Sequence, residues 1–161
     1  MKNLFALIFS LLLIIASTTV FSQCQQYAKA KCMPQLKPYL SSGQVYSTTL
    51  LQNDKTELTM AFYSGQNYRV AVCSEKSLGQ TTFKLKDGDG NVFFTNKGYG
   101  NFWDFNVQAT QELTIEVNTP AGDPATAADK KGVVLDKSGC VAILVGFNIN
   151  LPPTASNTPA K

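Results

Sequence analysis

Apolar and polar residues alternate along most of this chain with a period of two. In ELTMAFY, Leu58, Met60 and Phe62 share one side, and Thr59, Ala61 and Tyr63 share the other. YRVAVC repeats the pattern, with Tyr68, Val70 and Val72 set against Arg69, Ala71 and Cys73. Phe83 and Leu85 oppose Lys84 and Lys86, and Trp103, Phe105 and Val107 oppose Phe102, Asp104 and Asn106. Leu113, Ile115 and Val117 oppose Thr114 and Glu116, and Val141, Ile143, Val145 and Phe147 oppose Cys140, Ala142 and Leu144. Successive side chains of an extended strand point to opposite faces, so each stretch reads as a strand with one face in a core. Short strands with turn residues about every ten positions, and no amphipathic helix among them, predict an all-β fold. The expected architecture is an antiparallel β-sandwich, jelly-roll-like.

The alternation stops at both ends. Behind Lys2, residues 4–15 (LFALIFSLLLII) form an apolar run of secretory length, short of the roughly 20 residues that a transmembrane span needs. Val20 and Ser22 suit the −3 and −1 positions of a cleavage site. Residues 1–22 are therefore read as a signal peptide, and the chain as exported to the periplasm, cell surface or medium. Cys24 lies close behind the run, as in a lipoprotein, but Gln23 is neither small nor apolar. Residues 23–42 form a cysteine-bearing N-terminal segment. It is helical through CQQYAKAKC, where Gln, Ala and Lys favour helix, and broken by Pro34 and Pro38. Residues 43–150 are the expected β-sandwich domain, with a long polar loop at 119–132, and residues 151–161 (LPPTASNTPAK) a flexible tail.

Charge and cysteine usage narrow the classes. The formal charge of +3 falls to +2 once Lys2 is removed, and no basic cluster exceeds Lys130-Lys131, which argues against a nucleic-acid partner. The chain has no histidine, so the commonest general base and every Ser-His or Cys-His nucleophile are missing. Four cysteines, Cys24, Cys32, Cys73 and Cys140, follow the cleavage site. An even number in an exported chain reads as two disulfides, and intervening runs of 7, 40 and 66 residues lack the close pairs of a zinc site. Cys73 and Cys140 fall opposite their strands' β-branched residues, beside the small Ala71 and Ala142. Both thiols then lie on the outside of a sheet, with room for something to pack over them. In a helix Cys24 and Cys32 would be about 12 Å apart, too far to bond each other. The favoured pairing joins each of them to one sheet cysteine and staples the segment across the sheet. Cys24–Cys32 with Cys73–Cys140 is the alternative if the segment is not helical.

Three sets of residues are candidates for function. Asp87, Asp89 and Asn91 in KDGDGNVFF match the first three ligand positions of an EF-hand calcium loop. Val92 stands where that loop needs glycine and Gly98 where it needs glutamate. The stretch therefore reads as a hairpin turn between FKLK and NVFF, with Gly88 and Gly90 at positive φ and calcium as the alternative. Asp104, between Trp103 and Phe105, is the acid around which a carboxylate-based glycan-acting enzyme would be built. Its plainer role is an outward residue paired with a cross-strand lysine. Tyr99 and Phe102, with Phe93 and Tyr63, are outward aromatics. They suit a surface for a protein or carbohydrate partner, or a second small core beneath the N-terminal segment.

The order SGQNYRVAVCS, FKLKDGDGNVFFTN, FWDFNVQATQELTIEVNT resembles the bacterial pre-peptidase C-terminal domain over roughly residues 45–147. That family shows a Gly-x-x-Tyr strand, an Asp- and Gly-rich hairpin and an aromatic-rich strand. The resemblance implies a compact β-sandwich of exported proteins, usually an accessory to an enzyme and sometimes related to calcium-supported, matrix-binding domains. The chain departs from the family in its cysteine-bearing N-terminal segment and in its GCVAILVGF ending, and no catalytic domain accompanies it. The expected function is non-enzymatic, a binding or structural module, with the glycan-acting enzyme and the calcium-dependent adhesion module as alternatives.

Overall fold

The computed structural model describes residues 19–97, 100–122 and 137–148. Eight strands follow one another: β1 (Leu40–Leu51), β2 (Lys55–Phe62), β3 (Asn67–Ser74), β4 (Thr82–Lys86), β5 (Val92–Thr95), β6 (Phe102–Asn106), β7 (Gln111–Asn118) and β8 (Ser138–Asn148). They form two four-stranded sheets, ordered β1-β8-β3-β6 and β2-β7-β4-β5. Every pairing is antiparallel, and the pairs are nested: β1 with β8, β2 with β7, β3 with β6 and β4 with β5. A long hairpin wound into two layers has this order, which is the jelly-roll topology. The fold class read from the sequence is the one observed.

The alternation sorts the residues as expected. Val70, Phe83, Leu85, Leu113, Ile115, Val117, Val141 and Ile143 are buried between the sheets, where each large apolar side chain contributes about 1.5–3 kcal/mol relative to exposure. The β5–β6 side of the sandwich is closed by aromatic rings. Trp103 of β6 stacks on Phe94 of β5 at 4.2 Å and on Phe105 at 4.5 Å between centroids. Such pairs add about 0.5–1.5 kcal/mol to their burial. Among the described residues the β1–β2 side has no comparable seal.

The N-terminal segment is a third layer. Helix α1 (Thr19–Tyr27) passes into a π-helical turn (Ala28–Cys32) and a 3-10 turn (Met33–Leu36) that carries Pro34 in its first turn, where the missing N–H costs nothing. A cis Lys37–Pro38 peptide then leads into β1. The expected boundary at residues 42/43 thus falls inside β1, because LSSGQVYSTTLL does not alternate cleanly. The helix also runs across the expected cleavage position at Ser22/Gln23. Ala28, Cys32 and Leu36 pack on Ala71, Cys73, Ala142 and Leu144 of β3 and β8 to form a second core. The small residues on the sheet side let the segment approach closely. Gly146 marks a close approach, since a Cβ there would meet the Tyr39 Cβ at 2.8 Å and Leu36 Cδ2 at 3.3 Å. Gly146→Ala is expected to cost about 1–3 kcal/mol in denaturant unfolding and to make residues 23–38 cleavable earlier in limited proteolysis. An unchanged midpoint would show that the segment does not pack this closely.

Candidate functional site

The outer face of the β1-β8-β3-β6 sheet is organised around Arg69. Arg69 and Asp104 are direct cross-strand partners on β3 and β6. The guanidinium donates from Nε and Nη2 to the two Asp104 oxygens, each at 2.6 Å. Its Nη1 donates to the carbonyls of Gln35 at 3.0 Å and Lys37 at 2.6 Å. The guanidinium also lies over the Tyr39 ring at 4.8 Å and the Phe102 ring at 4.1 Å from the centroids. Asp104 therefore pairs across the strands with an arginine, not the expected lysine, and together they clamp the 3-10 turn to the sheet. Phe102, still 44% exposed, forms one wall of the clamp. Tyr99 lies outside the described residues.

The cysteines meet the segment on the same face. Cys24 is bonded to Cys140 of β8, with Cα atoms 5.2 Å apart. Its Sγ also lies 3.3 Å from the Thr49 hydroxyl of β1. One helix cysteine and one sheet cysteine are joined, in the sense of the favoured pairing. Cys32 and Cys73 carry free, buried thiols.

On the outer face of the other sheet, Glu57 and Glu116 oppose each other across β2 and β7, and Lys84 of β4 opposes Glu116. Glu116 accepts from Lys84 at 3.2 Å, from Asn118 at 2.7 Å and from Lys86. The Lys86 ammonium beside it, then the Asn118 amide, pull its carboxyl from 4.5 to about 2. A glycosidase acid must instead hold its proton near neutrality, so this carboxylate pair serves as a charge ladder. A depressed pKa stabilises the fold above the unfolded value, and that contribution is lost as the pH falls through the folded value. Glu116→Gln is therefore expected to be less stable than the parent at pH 7, with the gap closing between about pH 4.5 and 2. Denaturant melts across that range check it, and a gap that stays constant would refute the assignment.

The Asp87–Asn91 stretch is a turn between β4 and β5. Asp87 Oδ1 accepts the backbone N–H groups of Asp89 at 3.0 Å and Asn91 at 2.8 Å, and Oδ2 accepts the Asn91 amide at 3.0 Å. These bonds, the Asn91 side chain first, hold the Asp87 carboxyl below its usual range. Asp87 and Asn91 are thus brought together by turning the chain on themselves. Of the two glycines expected at positive φ, only Gly90 has it, at 83°. Among the described residues no cluster of three or more metal-ligating side chains occurs.

The feature missed by the alternation is the open β1–β2 side. β1 pairs in register with β8 at Leu40↔Phe147 and Ser41↔Gly146, then again from Val45↔Leu144. Over that interval β1 advances four residues while β8 advances two, so a bulge lifts Ser42, Gly43 and Gln44 off the sheet. Gly43 sits at φ 83°, a backbone conformation that glycine adopts without strain. Beside the bulge lies a recess of about 170 Å³, walled by Val45 and Tyr46 of β1 and by Leu58 and Met60 of β2, with the buried Ile143 and Val145 at its base. The Tyr46 hydroxyl, 2.9 Å from that of Thr56, bridges the two sheets beside it. A second recess of about 260 Å³ shares Ser42 and Met60 and continues past Tyr63, Tyr68 and Phe147. Its wall is fixed by Tyr68, whose hydroxyl accepts the Tyr63 N–H and donates to Gln66 Oε1, both at 3.0 Å. Among the described residues no carboxylate, ammonium or thiol lines either recess. From Tyr39 to Asn53 the chain carries no charged residue, a signal that was open to reading.

The fold and these surfaces define a jelly-roll sandwich capped on one outer face and open along one edge. No family model matches the chain, and no curated protein matches it. Among solved structures it is similar to PliG of Aeromonas hydrophila, a periplasmic lysozyme inhibitor of g-type lysozyme. The identity is 14% and the TM-score 0.45, over 70% of this chain and 90% of that one. No residue or role is carried over from it. Among the described residues no helix is long and apolar enough to cross a membrane.

Proposed function

We propose that this chain is an exported, non-catalytic binding module that takes an extended, uncharged segment of a partner protein along the open edge of β1. The observation that carries this reading is an uncharged edge strand beside an apolar double recess. β1 ends its sheet, and among the described residues no strand pairs with its outer edge. Such an edge presents unpaired N–H and C=O groups, which proteins usually guard with lysine, proline or charge. Here the guard is a bulge that exposes apolar surface. An added strand gains main-chain hydrogen bonds from β1 and places alternate side chains in the recesses. A charged side chain there would be desolvated against Leu58, Met60 and Ile143 without a counter-charge, which is costly. That selects an uncharged, alternately apolar segment. The lining offers only hydroxyls, amides and apolar groups, suited to recognition and not to acid–base chemistry.

Selection from a randomised decapeptide library on the intact protein tests this. The expected winners are uncharged, with apolar residues at alternate positions, and their binding shifts the amide resonances of residues 42–48. Gln44→Lys, an exposed change at the bulge, is expected to preserve the melting temperature and to weaken binding at least tenfold. Enrichment of charged peptides, shifts elsewhere, or unaltered binding by Gln44→Lys would overturn the reading. So would concentration-dependent self-association through β1, which would make a second copy the occupant.

A further inference from the structure

The second core holds a pair of thiols that the fold brings together without bonding them. Cys32, at the end of the π-helical turn, is completely buried, and Cys73 of β3 is 4% exposed. The two thiols belong to the same buried cluster, Cys32 from the segment and Cys73 from the sheet. Their surroundings are Ala28, Leu36, Ala71, Ala142 and Leu144. Cys73 pairs across the strands with Ala142, two residues from Cys140. Both sheet cysteines therefore share one stretch of the outer face, and the N-terminal segment runs over both. Cys140 is already held by Cys24, so Cys32 is the partner left within reach of Cys73.

We infer that Cys32 and Cys73 form a second disulfide in the exported chain. The oxidant is the disulfide of a thiol-oxidising protein or of a small dithiol couple. One cysteine, as thiolate, attacks that disulfide and displaces one of its sulfurs, giving a mixed disulfide. The other cysteine then attacks the mixed bond, the Cys32–Cys73 bond forms, and the oxidant leaves as two thiols that carry the two protons and two electrons. Contact with Cys73 and then burial raise the Cys32 thiol far above its usual range, which suppresses the attacking thiolate in the docked state. Both thiols are buried once the segment is docked, so the oxidant reaches them before the segment packs down. A recess of about 590 Å³ is lined by Tyr27, by Lys31 and Ser74, the chain neighbours of the two cysteines, and by Glu75 and Lys76, and Tyr27 packs against the second core. Burial, then Cys32, Cys73 and Glu75, push the Tyr27 hydroxyl up to about 12, which agrees with Tyr27 covering the thiols. The bond closes a loop of about forty residues, long enough to restrict the unfolded chain strongly.

The test uses the full chain prepared by export into an oxidising periplasm, alkylated with iodoacetamide in denaturant and mapped without reduction. The expected result is a peptide pair joining Cys32 to Cys73 and no alkylated cysteine. Alkylated Cys32 and Cys73, or either joined to another cysteine, overturns the inference. In the same preparation, Cys32→Ala with Cys73→Ala is expected to lower the melting temperature by roughly 10 °C. An unchanged melting temperature also counts against the bond.

Discussion

Alanine at both Cys24 and Cys140 is expected to lower the melting temperature by roughly 10–15 °C. The bond spans 116 residues of sequence, and a loop of that size removes about 5 kcal/mol worth of disorder from the unfolded chain. For a domain of this length 1 kcal/mol moves the midpoint by a few degrees. Alanine, rather than serine, avoids placing a hydroxyl where both sulfurs are buried. The consequence for the fold is local as well as global. The bond fixes the N-terminal helical segment to β8. Thermal melts under non-reducing conditions check the size of the loss. A drop of less than about 3 °C would mean that packing, not the cross-link, holds the segment.

The second large effect belongs to Arg69. Arg69→Ala strands the Asp104 carboxylate against the segment and removes the donor to the Gln35 and Lys37 carbonyls. Removing one partner of a largely buried pair costs about 3 kcal/mol, because the remaining charge loses its counter-charge while water is still kept away. Arg69→Lys is expected to recover little of this, since an ammonium cannot serve a carboxylate bidentately and two carbonyls at once. Arg69→Met with Asp104→Leu is expected to be far less damaging than the sum of the single changes. A double-mutant cycle in urea should therefore give a coupling of about 2 kcal/mol. Additive single effects would show that the two residues do not act as a clamp.

Much of the fold was legible because period-two alternation is a local property. Leu58, Phe83, Ile115 and Val145 could each be assigned to an inner face from their immediate neighbours. The second core was legible for a related reason, since Cys73 and Cys140 stood beside alanines on the faces that the β-branched residues had vacated. The nesting of the strands, with β1 against β8 at the far end of the chain, has no local signature. Arg69 and Asp104 show the same limit. Each reads as an outward charge, and only the β3–β6 register sets them opposite each other. The KDGDGNVFF hairpin lay between. Its strands were readable from their flanks, and the use of the Asp87 oxygens by its own loop followed from the fold. β1 was the element least visible, because a bulge breaks alternation at the residues that open the recess. What could have marked it is the run without charge from Tyr39 to Asn53.

Both clamps, the Cys24–Cys140 bond and Arg69, act on the same face. Tyr63, Phe93 and Phe102 stay exposed, and the surface proposed for a partner is the β1 edge. Residue-resolved amide hydrogen exchange on the monomeric, intact chain tests this most directly. In β8 and β3, which are paired on both sides, slow exchange is expected throughout. Along residues 42–51 of β1, the amides that face away from β8 are expected to exchange quickly and to become protected when a selected peptide binds. Uniform protection of β1 in the free monomer would contradict the account, because the edge proposed as the binding surface would already be covered.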